Sequence, residues 1–218
     1  MSIGENLLDI QNNIPKHVSL VAVSKTKPTS DILEAYEAGQ RIFGENKIQE
    51  MAGKYDELPK DISWHMIGHL QRNKVKYMAH FVDLIHGVDS LKTLKEINKQ
   101  AARHRRTIAC LLQVKIATET TKFGIPPNQI TEILDSEEFK SLENIQIKGF
   151  MGMASFTQDD ATIQTEFKLL KTLYDQYAPT HNFDTLSMGM SGDYSLAISC
   201  GSNMVRVGSA IFGHRNKI

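Results

Sequence analysis

Short apolar runs rich in β-branched residues alternate along the chain with longer segments whose apolar residues recur at helical spacing. The apolar runs predict eight β-strands, at His17–Val23, Arg41–Phe43, Ser63–Ile67, Phe81–His86, Thr107–Lys115, Ile147–Met151, Thr185–Met188 and Asn203–Val207. The clearest of the intervening helical patterns are Ser90–Arg103 and Thr162–Tyr177. Strands that alternate with helices are typical of a parallel sheet built from βαβ units.

The number of predicted strands favours a closed barrel over an open sheet. The eighth strand falls near the end of the 218 residues, as expected for a small (β/α)8 barrel of the TIM type. No stretch of linker composition divides the chain, so we expect a single α/β barrel domain over residues 1–218. The helical pattern of Ile3–Gln11 predicts an N-terminal helix, within residues 1–13, that covers the barrel.

Charge and cysteine content narrow the class of protein. Lys and Arg together number 25, as do Asp and Glu, so the formal net charge is zero and we expect no nucleic-acid partner. The two cysteines, Cys110 and Cys200, are too few for a disulfide framework or a usual thiolate metal site. Neither a membrane span nor a signal peptide is predicted, and the expected compartment is the cytoplasm.

A lysine follows the first apolar run, where functional side chains of such barrels lie. Lys25 ends the apolar segment that begins at Val18. It is either a solvated rim residue or a functional amine, and an apolar barrel mouth lowers the pKa of an amine and so favours its nucleophilic form. Lys27 competes with it, but Lys27 directly precedes Pro28, so its backbone belongs to the loop. We therefore expect Lys25 to be the reactive lysine.

Glycines mark the ends of the last two predicted strands, in the segments Ser187–Asp193 and Val205–Ser209. The loops after strands seven and eight of a barrel commonly hold phosphate, and glycines let backbone N–H groups approach an anion; the same glycines can equally be turn residues. Arg206 lies inside the eighth strand and must be paired or hydrogen-bonded there, since a guanidinium keeps its proton. Together with Lys25, these features predict a pocket for a phosphorylated aldehyde held as a Schiff base.

Six short motifs follow one another along the chain: Val-Ser-Lys-Thr-Lys-Pro (Val23–Pro28), Phe-Gly-Glu-Asn (Phe43–Asn46), Trp-His-x-Ile-Gly-x-Leu-Gln (Trp64–Gln71), Lys-x-Gly (Lys122–Gly124), Met-Gly-Met-Ser-x-Asp (Met188–Asp193) and Met-Val-Arg-Val-Gly-x-Ala-Ile-Phe-Gly (Met204–Gly213). In kind and order they resemble the pyridoxal 5′-phosphate homeostasis protein family, single-domain relatives of the barrel domain of alanine racemase. The resemblance runs from about Val18 to Gly213.

The resemblance implies a residue for each part of the cofactor. Lys25 matches the family lysine that forms the internal aldimine with pyridoxal 5′-phosphate (PLP), and Asn46 matches a residue lining the pocket. Arg206 matches the arginine that faces the pyridine nitrogen. The positions expected at the cofactor phosphate are Ser191, Gly208 and Ser209.

The implied function is PLP homeostasis, meaning storage, buffering or delivery of the cofactor without turnover. The implied partners are PLP and the PLP-dependent apo-enzymes that would be its clients, and we expect a monomer. A permanently protonated Arg206 leaves the pyridine nitrogen unprotonated, which weakens the ring as an electron sink. A racemase of this fold also needs a second base, usually from an added C-terminal domain, and this chain ends a few residues after the eighth predicted strand.

Two alternatives remain from the residues alone. A PLP-dependent amino-acid racemase would need a base from the barrel loops, for which Tyr194 and His69 are the candidates. A Schiff-base aldolase acting on a sugar phosphate would use the same lysine and phosphate loops without a cofactor. His65 and His69 lie four residues apart, but the glutamate of a metalloprotease helix is absent, so no metal site is expected.

Overall fold

The computed structural model describes residues 2–119 and 123–213. Its eight strands form a closed barrel in which each strand pairs in parallel with the next and the last pairs with the first. In chain order the strands are β1 (Ser19–Val23), β2 (Ile42–Glu45), β3 (Ser63–Met66), β4 (Leu84–Val88), β5 (Ile108–Gln113), β6 (Ile145–Met151), β7 (Thr185–Ser187) and β8 (Met204–Val207). The predicted (β/α)8 barrel is confirmed.

Helices connect the strands and surround the barrel. Within the described residues they are α1 (Ile3–Asn13), α2 (Thr29–Glu37), α3 (Ile48–Glu57), α4 (Leu91–Arg103), α5 (Ile130–Asp135), α6 (Glu137–Lys140), α7 (Asp160–His181), α8 (Tyr194–Ser199) and α9 (Ser209–Phe212), with 3-10 helices at Arg72–Tyr77 and Pro127–Gln129. α4 begins at a serine cap, since the Ser90 side chain accepts a hydrogen bond from Thr93 N–H. α7 ends at Asn182, which adopts the left-handed conformation that terminates helices.

The strands bury both faces, as parallel strands covered by helices do. A separate cluster of buried apolar side chains packs within the barrel and includes Val21, Leu84, Leu111, Met151 and Met204. A larger apolar layer fills the space between the strands and the helices, with Trp64 and Phe43 among its fully buried members. Inward and outward positions alternate along each strand, so the inward polar residues near the strand ends face a common space.

α1 packs against both the beginning and the end of the barrel. Ser2 and Glu5 form a capping box at its N-terminus, and Leu7 and Ile10 are buried. The Ile3 N–H donates a hydrogen bond to the Glu34 side chain on α2 (2.8 Å), and the Asn6 side chain donates one to the carbonyl of Ile211 on α9 (3.0 Å).

The ends of two strands bear on the site. β1 ends at Val23, the predicted last residue, so Lys25 is the second residue of the following loop. The predicted start of the fourth strand at Phe81 is wrong. β4 begins at Leu84, because Phe81 and Val82 continue the turn that precedes it: both of their N–H groups bond to the Met78 carbonyl.

No helix within residues 2–119 and 123–213 is long and apolar enough to cross a membrane. In the same residues no group of three or more His, Cys, Asp or Glu side chains is placed to hold a metal ion. Cys110 and Cys200 are both buried and are not joined in a disulfide.

Candidate functional site

A cavity of about 1060 Å³ opens at the carboxyl ends of the barrel strands. All six residues predicted for the site line it, namely Lys25, Asn46, Ser191, Arg206, Gly208 and Ser209. Lys122, which belongs to one of the sequence motifs, lies outside the described residues. The structure therefore brings together side chains from the loops after β1, β2 and β7 with residues of β8 and the start of α9.

The loop that carries Lys25 is held in an unusual backbone conformation. Thr26 has a φ of 65°, a left-handed value that is uncommon for a β-branched residue. The Thr26 N–H donates a hydrogen bond of 2.6 Å to Glu50 Oε1, and Lys54 Nζ donates one of 2.8 Å to the Ser24 carbonyl. Both residues flanking Lys25 are thus tied to α3, which fixes where the Lys25 backbone lies.

A group of four mostly buried polar side chains makes these ties, and we call Ser24, Glu45, Glu50 and Lys54 the ion cluster. Lys54 Nζ lies 2.7 Å from Glu45 Oε1 and 2.7 Å from Glu50 Oε1, and the Ser24 hydroxyl donates to Glu45 Oε1 at 2.6 Å. Glu45 is fully buried at the end of β2, and its Oε2 has no hydrogen-bond partner within the described part of the chain. The cluster contains two carboxylates and one ammonium.

The two carboxyl groups of the ion cluster have pKa values shifted in opposite directions. Burial raises the pKa of Glu45 more than the charge of Lys54 and the hydrogen bonds from Lys54 and Ser24 lower it. Desolvation also acts on Glu50, but there the hydrogen bonds from Lys54 and the Thr26 backbone outweigh it and lower the pKa. Glu50, which holds the Lys25 loop, is therefore the more readily ionised of the two.

Lys27, the competing candidate, also lines the cavity but is engaged elsewhere. Its Nζ donates a hydrogen bond of 2.6 Å to the Phe212 carbonyl at the end of α9. Lys27 thereby links the β1 loop to the last described helix.

Arg206 is buried in the barrel interior, and its hydrogen-bond partners are neutral. The guanidinium donates to Ser187 Oγ (2.5 Å, from Nη1) and to the Gly152 carbonyl (3.1 Å, from Nη2). None of the ion pairs formed by the described residues includes Arg206. Desolvation lowers the pKa of Arg206 to about 10, so the group is still protonated at neutral pH. A buried cation without a carboxylate in contact is costly unless an acceptor is supplied.

The loops after β7 and β8 meet at the cavity. The Gly208 N–H donates a hydrogen bond of 3.1 Å to Ser191 Oγ, which joins the two loops directly. A side chain at position 208 would place its Cβ 3.2 Å from atoms of Val23, so glycine permits the close approach of β8 to β1 there. Gly189, by contrast, has a φ of 99° and is required by the turn itself.

One of the two proposed alternative bases lies at the cavity and the other does not. His69 lines the mouth, where its Nδ1 is 3.4 Å from Asp89 Oδ2 and its ring stacks on Phe123 with centroids 4.6 Å apart. Tyr194 is the first residue of α8 and is not among the residues lining the cavity.

Sequence reasoning missed two polar residues, one in the cavity lining and one that contacts Arg206. Gln113 is the last residue of β5, is buried, and donates a hydrogen bond to the Phe123 carbonyl (3.0 Å). Its position at the carboxyl end of a strand is the signal that could have found it. Ser187, the partner of Arg206, stands at the end of β7 and carries the same signal.

Comparison with known proteins agrees with this architecture. Residues 2–216 match the family described as alanine racemase, N-terminal domain. The chain is 38% identical to the pyridoxal phosphate homeostasis protein of Pasteurella multocida, with 99% of each chain covered. Fold and cavity thus define a barrel of the alanine racemase N-terminal class.

Solved structures narrow the assignment. The structure of PipY from Synechococcus elongatus without PLP is 37% identical, with a TM-score of 0.91 over 97% of this chain and 100% of that one. The structure of PipY with PLP bound is 34% identical, with a TM-score of 0.88 over the same shares of the two chains. The chain belongs to the pyridoxal phosphate homeostasis protein family, as its motifs predict.

Proposed function

We propose that this protein binds PLP in the cavity at the carboxyl ends of the strands and stores, buffers or delivers it without turnover. The observation that carries the proposal is the buried Arg206 guanidinium, whose hydrogen-bond partners are neutral, in the same cavity as Lys25. A pyridine nitrogen is a neutral acceptor that can bond to a guanidinium without removing its charge. The residues present therefore fit the cofactor that a relative, PipY, holds in its solved structure.

The phosphate end of the cofactor has a separate set of donors in the proposal. Ser191, Gly208 and Ser209 lie on two loops that already touch through the Gly208–Ser191 hydrogen bond. A hydroxyl and backbone N–H groups suit a phosphate dianion because each donates a charge-assisted hydrogen bond without adding another charge. Asn46 lines the cavity on the β2 side, where an amide can contact the ring substituents.

The covalent part of the proposal assigns one bond to Lys25. Its neutral amine adds to the aldehyde carbon of PLP, the carbonyl oxygen leaves as water, and a C=N bond replaces the C=O bond. The reaction needs no oxidant or reductant, and water reverses it, which suits a protein that releases its cofactor. The fixed loop around Lys25 supports this assignment, because both residues that flank Lys25 are tied to α3.

The absence of turnover is proposed from the side chains around the cavity. The lining residues of the described chain include no carboxylate and no tyrosine, so His69 is the one lining side chain besides the lysines that could take an α-proton. His69 is half exposed and stacks on Phe123 at the mouth. A PLP-dependent racemase remains the alternative function, with His69 as its candidate base in the cavity.

Partner, assembly and compartment complete the proposal. Phe123 and Phe156 are exposed apolar side chains at the cavity mouth, the latter 95% exposed, and they support contact with PLP-dependent apo-enzymes as clients. We further propose one barrel domain over residues 1–218, a monomer, and a cytoplasmic location, for which the two buried reduced thiols are the support.

A visible absorption spectrum during titration with PLP tests the proposed function. The expected result is a saturable absorbance band of a protein-bound Schiff base, with much weaker binding of pyridoxal, which lacks the phosphate. A protein that binds neither compound would refute the proposal. Equal affinities for PLP and pyridoxal would refute the phosphate assignment, and Schiff-base chemistry with a sugar phosphate but not with PLP would favour the aldolase alternative.

A further inference from the structure

Four polar side chains form a single line of hydrogen bonds across the barrel interior, and we call them the relay. His65 Nδ1 lies 3.0 Å from His86 Nε2, His86 Nδ1 lies 3.0 Å from Ser187 Oγ, and Arg206 Nη1 donates to Ser187 Oγ at 2.5 Å. The four residues come from β3, β4, β7 and β8, and each is at most 5% exposed. The relay ends at Arg206, which lines the cavity.

Proton counting gives the relay one direction. The Ser187 oxygen already accepts from Arg206, and its single hydroxyl proton needs an acceptor of its own. His86 Nδ1 is the acceptor at hand, so His86 must carry its proton on Nε2 and donate it to His65 Nδ1. In the reverse direction Ser187 would accept from both Arg206 and His86, and its buried hydroxyl proton would have no acceptor among the described residues.

Both histidines are suited to a neutral relay. Burial lowers the pKa of His65 to about 3, and burial, His65 and Arg206 together hold the pKa of His86 well below its ordinary value. A neutral imidazole accepts a hydrogen bond at one nitrogen and donates one at the other, so the direction of one bond fixes the direction of the next. The two neutral rings do this without cancelling the charge on Arg206.

We propose that the relay positions Arg206: it fixes the Ser187 lone pairs toward the guanidinium and so aims the remaining N–H groups of Arg206 into the cavity. Ser187 and the Gly152 carbonyl each take one of the five N–H donors. His65, His86 and Ser187 thus act through Arg206 and are positioning residues. The orientation of the relay is a property of the ligand-free protein, whereas its effect on a pyridine nitrogen rests on the proposed function.

Nitrogen-15 NMR of the ligand-free, wild-type protein tests the direction of the relay. The expected result at neutral pH is that His86 and His65 are both neutral and both protonated on Nε2. A proton on Nδ1 of His86, or a positive charge on either ring at pH 7, would overturn the inference. This measurement requires neither a variant nor PLP, so it stands even if the protein does not bind the cofactor.

Two matched serine variants test the effect on binding. Ser187→Ala removes the link between His86 and Arg206, and Ser202→Ala removes an equally buried hydroxyl that bonds to the carbonyl of Met188 (2.7 Å) outside the relay. We expect Ser187→Ala to weaken PLP binding roughly tenfold, a change of about 1.4 kcal/mol, and Ser202→Ala to leave it near the wild-type value.

A ring analogue separates positioning from a general loss of structure. With a PLP analogue that has C–H in place of the pyridine nitrogen, wild type and Ser187→Ala should bind alike, because Arg206 then has no acceptor to reach. Equal losses for PLP and the analogue, or equal effects of Ser187→Ala and Ser202→Ala, would overturn the positioning role. Failure of the wild-type protein to bind PLP would instead overturn the proposed function.

Discussion

Two groups of buried polar side chains flank the cavity, and they are built from different chemistry. The ion cluster lies between β1, β2 and α3 and joins two carboxylates to the ammonium of Lys54. The relay crosses the barrel interior and joins two neutral imidazoles and a hydroxyl to Arg206. In both groups the side chains hold a residue of the candidate site: the ion cluster holds the loop of Lys25, and the relay holds Arg206.

The two groups differ in how the positive charge of their basic side chain, Lys54 or Arg206, is balanced. Lys54 is surrounded by acceptors, so its charge is compensated within the protein and serves to tie α3 to the β1 loop. The relay brings no charge to Arg206, on which the Asp193 carboxylate acts without contact, so the guanidinium is available to a ligand. We therefore expect removal of Lys54 to affect stability first, and changes in the relay to affect acid stability and ligand binding.

The largest expected effect is the loss of Lys54. Lys54→Met leaves Glu45 buried without its cation. Breaking a buried ion pair in this way costs about 3–5 kcal/mol in the free energy of unfolding, and we expect a loss of that size in this variant. Urea denaturation at neutral pH measures it. The matched control is Lys95→Met, which breaks an exposed pair with Glu138 and should have a much smaller effect. Equal stability losses in the two variants would show that the ion cluster is not a buried charged group.

The second effect is the acid sensitivity that the relay gives the protein. The folded-state pKa of His65, about 3, lies below the ordinary 6.5, so the unfolded chain binds more protons as the pH falls. Stability is therefore lost below about pH 6.5 and down to about pH 3, with roughly 2.5 kcal/mol lost through His65 between pH 6 and pH 4.

The corresponding experiment compares unfolding free energies at pH 6 and pH 4. Between pH 6 and pH 4, the unfolding free energy of His65→Gln should fall by roughly 2.5 kcal/mol less than that of the wild type. This difference does not depend on how stable the variant is at pH 6. His17→Gln, at an exposed position, should keep the wild-type difference. If His65→Gln retained the full wild-type acid sensitivity, the histidine would not be held neutral in the fold.

A third expected effect extends the comparison to the phosphate loops, where neutral donors meet a charged ligand. Ser191→Ala removes one hydroxyl donor to the dianion, worth about 1.5–3 kcal/mol, or roughly ten- to a hundredfold in PLP affinity. The affinity for pyridoxal should change little. Ser199→Ala removes a hydroxyl that bonds within α8 and is the control. An equal loss for PLP and pyridoxal would place the phosphate elsewhere.

The smallest expected effect is on catalysis, where we expect none. With PLP bound, the protein should exchange the α-proton of L-alanine for deuterium no faster than free PLP does. The physical reason is the weak electron sink beside a protonated Arg206 and the lack, among the described lining residues, of a carboxylate or tyrosine that could act as a base alongside His69 and the lysines. Exchange at an enzymatic rate that is lost in His69→Gln would make the protein a racemase-type enzyme.

The barrel and the lining of its cavity could be predicted because they follow local rules. Alternation of apolar runs and helical patterns indicates the strands, and the carboxyl ends of those strands indicate the site. The boundaries were less accessible: Phe81 and Val82 have the composition of a strand, yet they belong to the turn before β4.

The contacts within the two buried groups could not be predicted in the same way. His86 and Ser187 are 101 residues apart, and Glu45 and Lys54 lie on different elements, so no local pattern shows that they meet. A weaker signal was present, since His65 and His86 are polar residues at inward positions of otherwise apolar strands. Such positions are uncommon unless the side chain is hydrogen-bonded inside the fold.

Borohydride reduction followed by peptide mapping tests the central claim most directly, namely that Lys25 carries the cofactor. After incubation with PLP and reduction, the pyridoxyl group should be found on Lys25, and Lys25→Ala should lose the label and the visible absorbance. Lys27→Ala should keep most of both, since the Lys27 amine is bonded to the Phe212 carbonyl. A reducible label that persists in Lys25→Ala, or that maps to Lys27 in the wild type, would contradict the account.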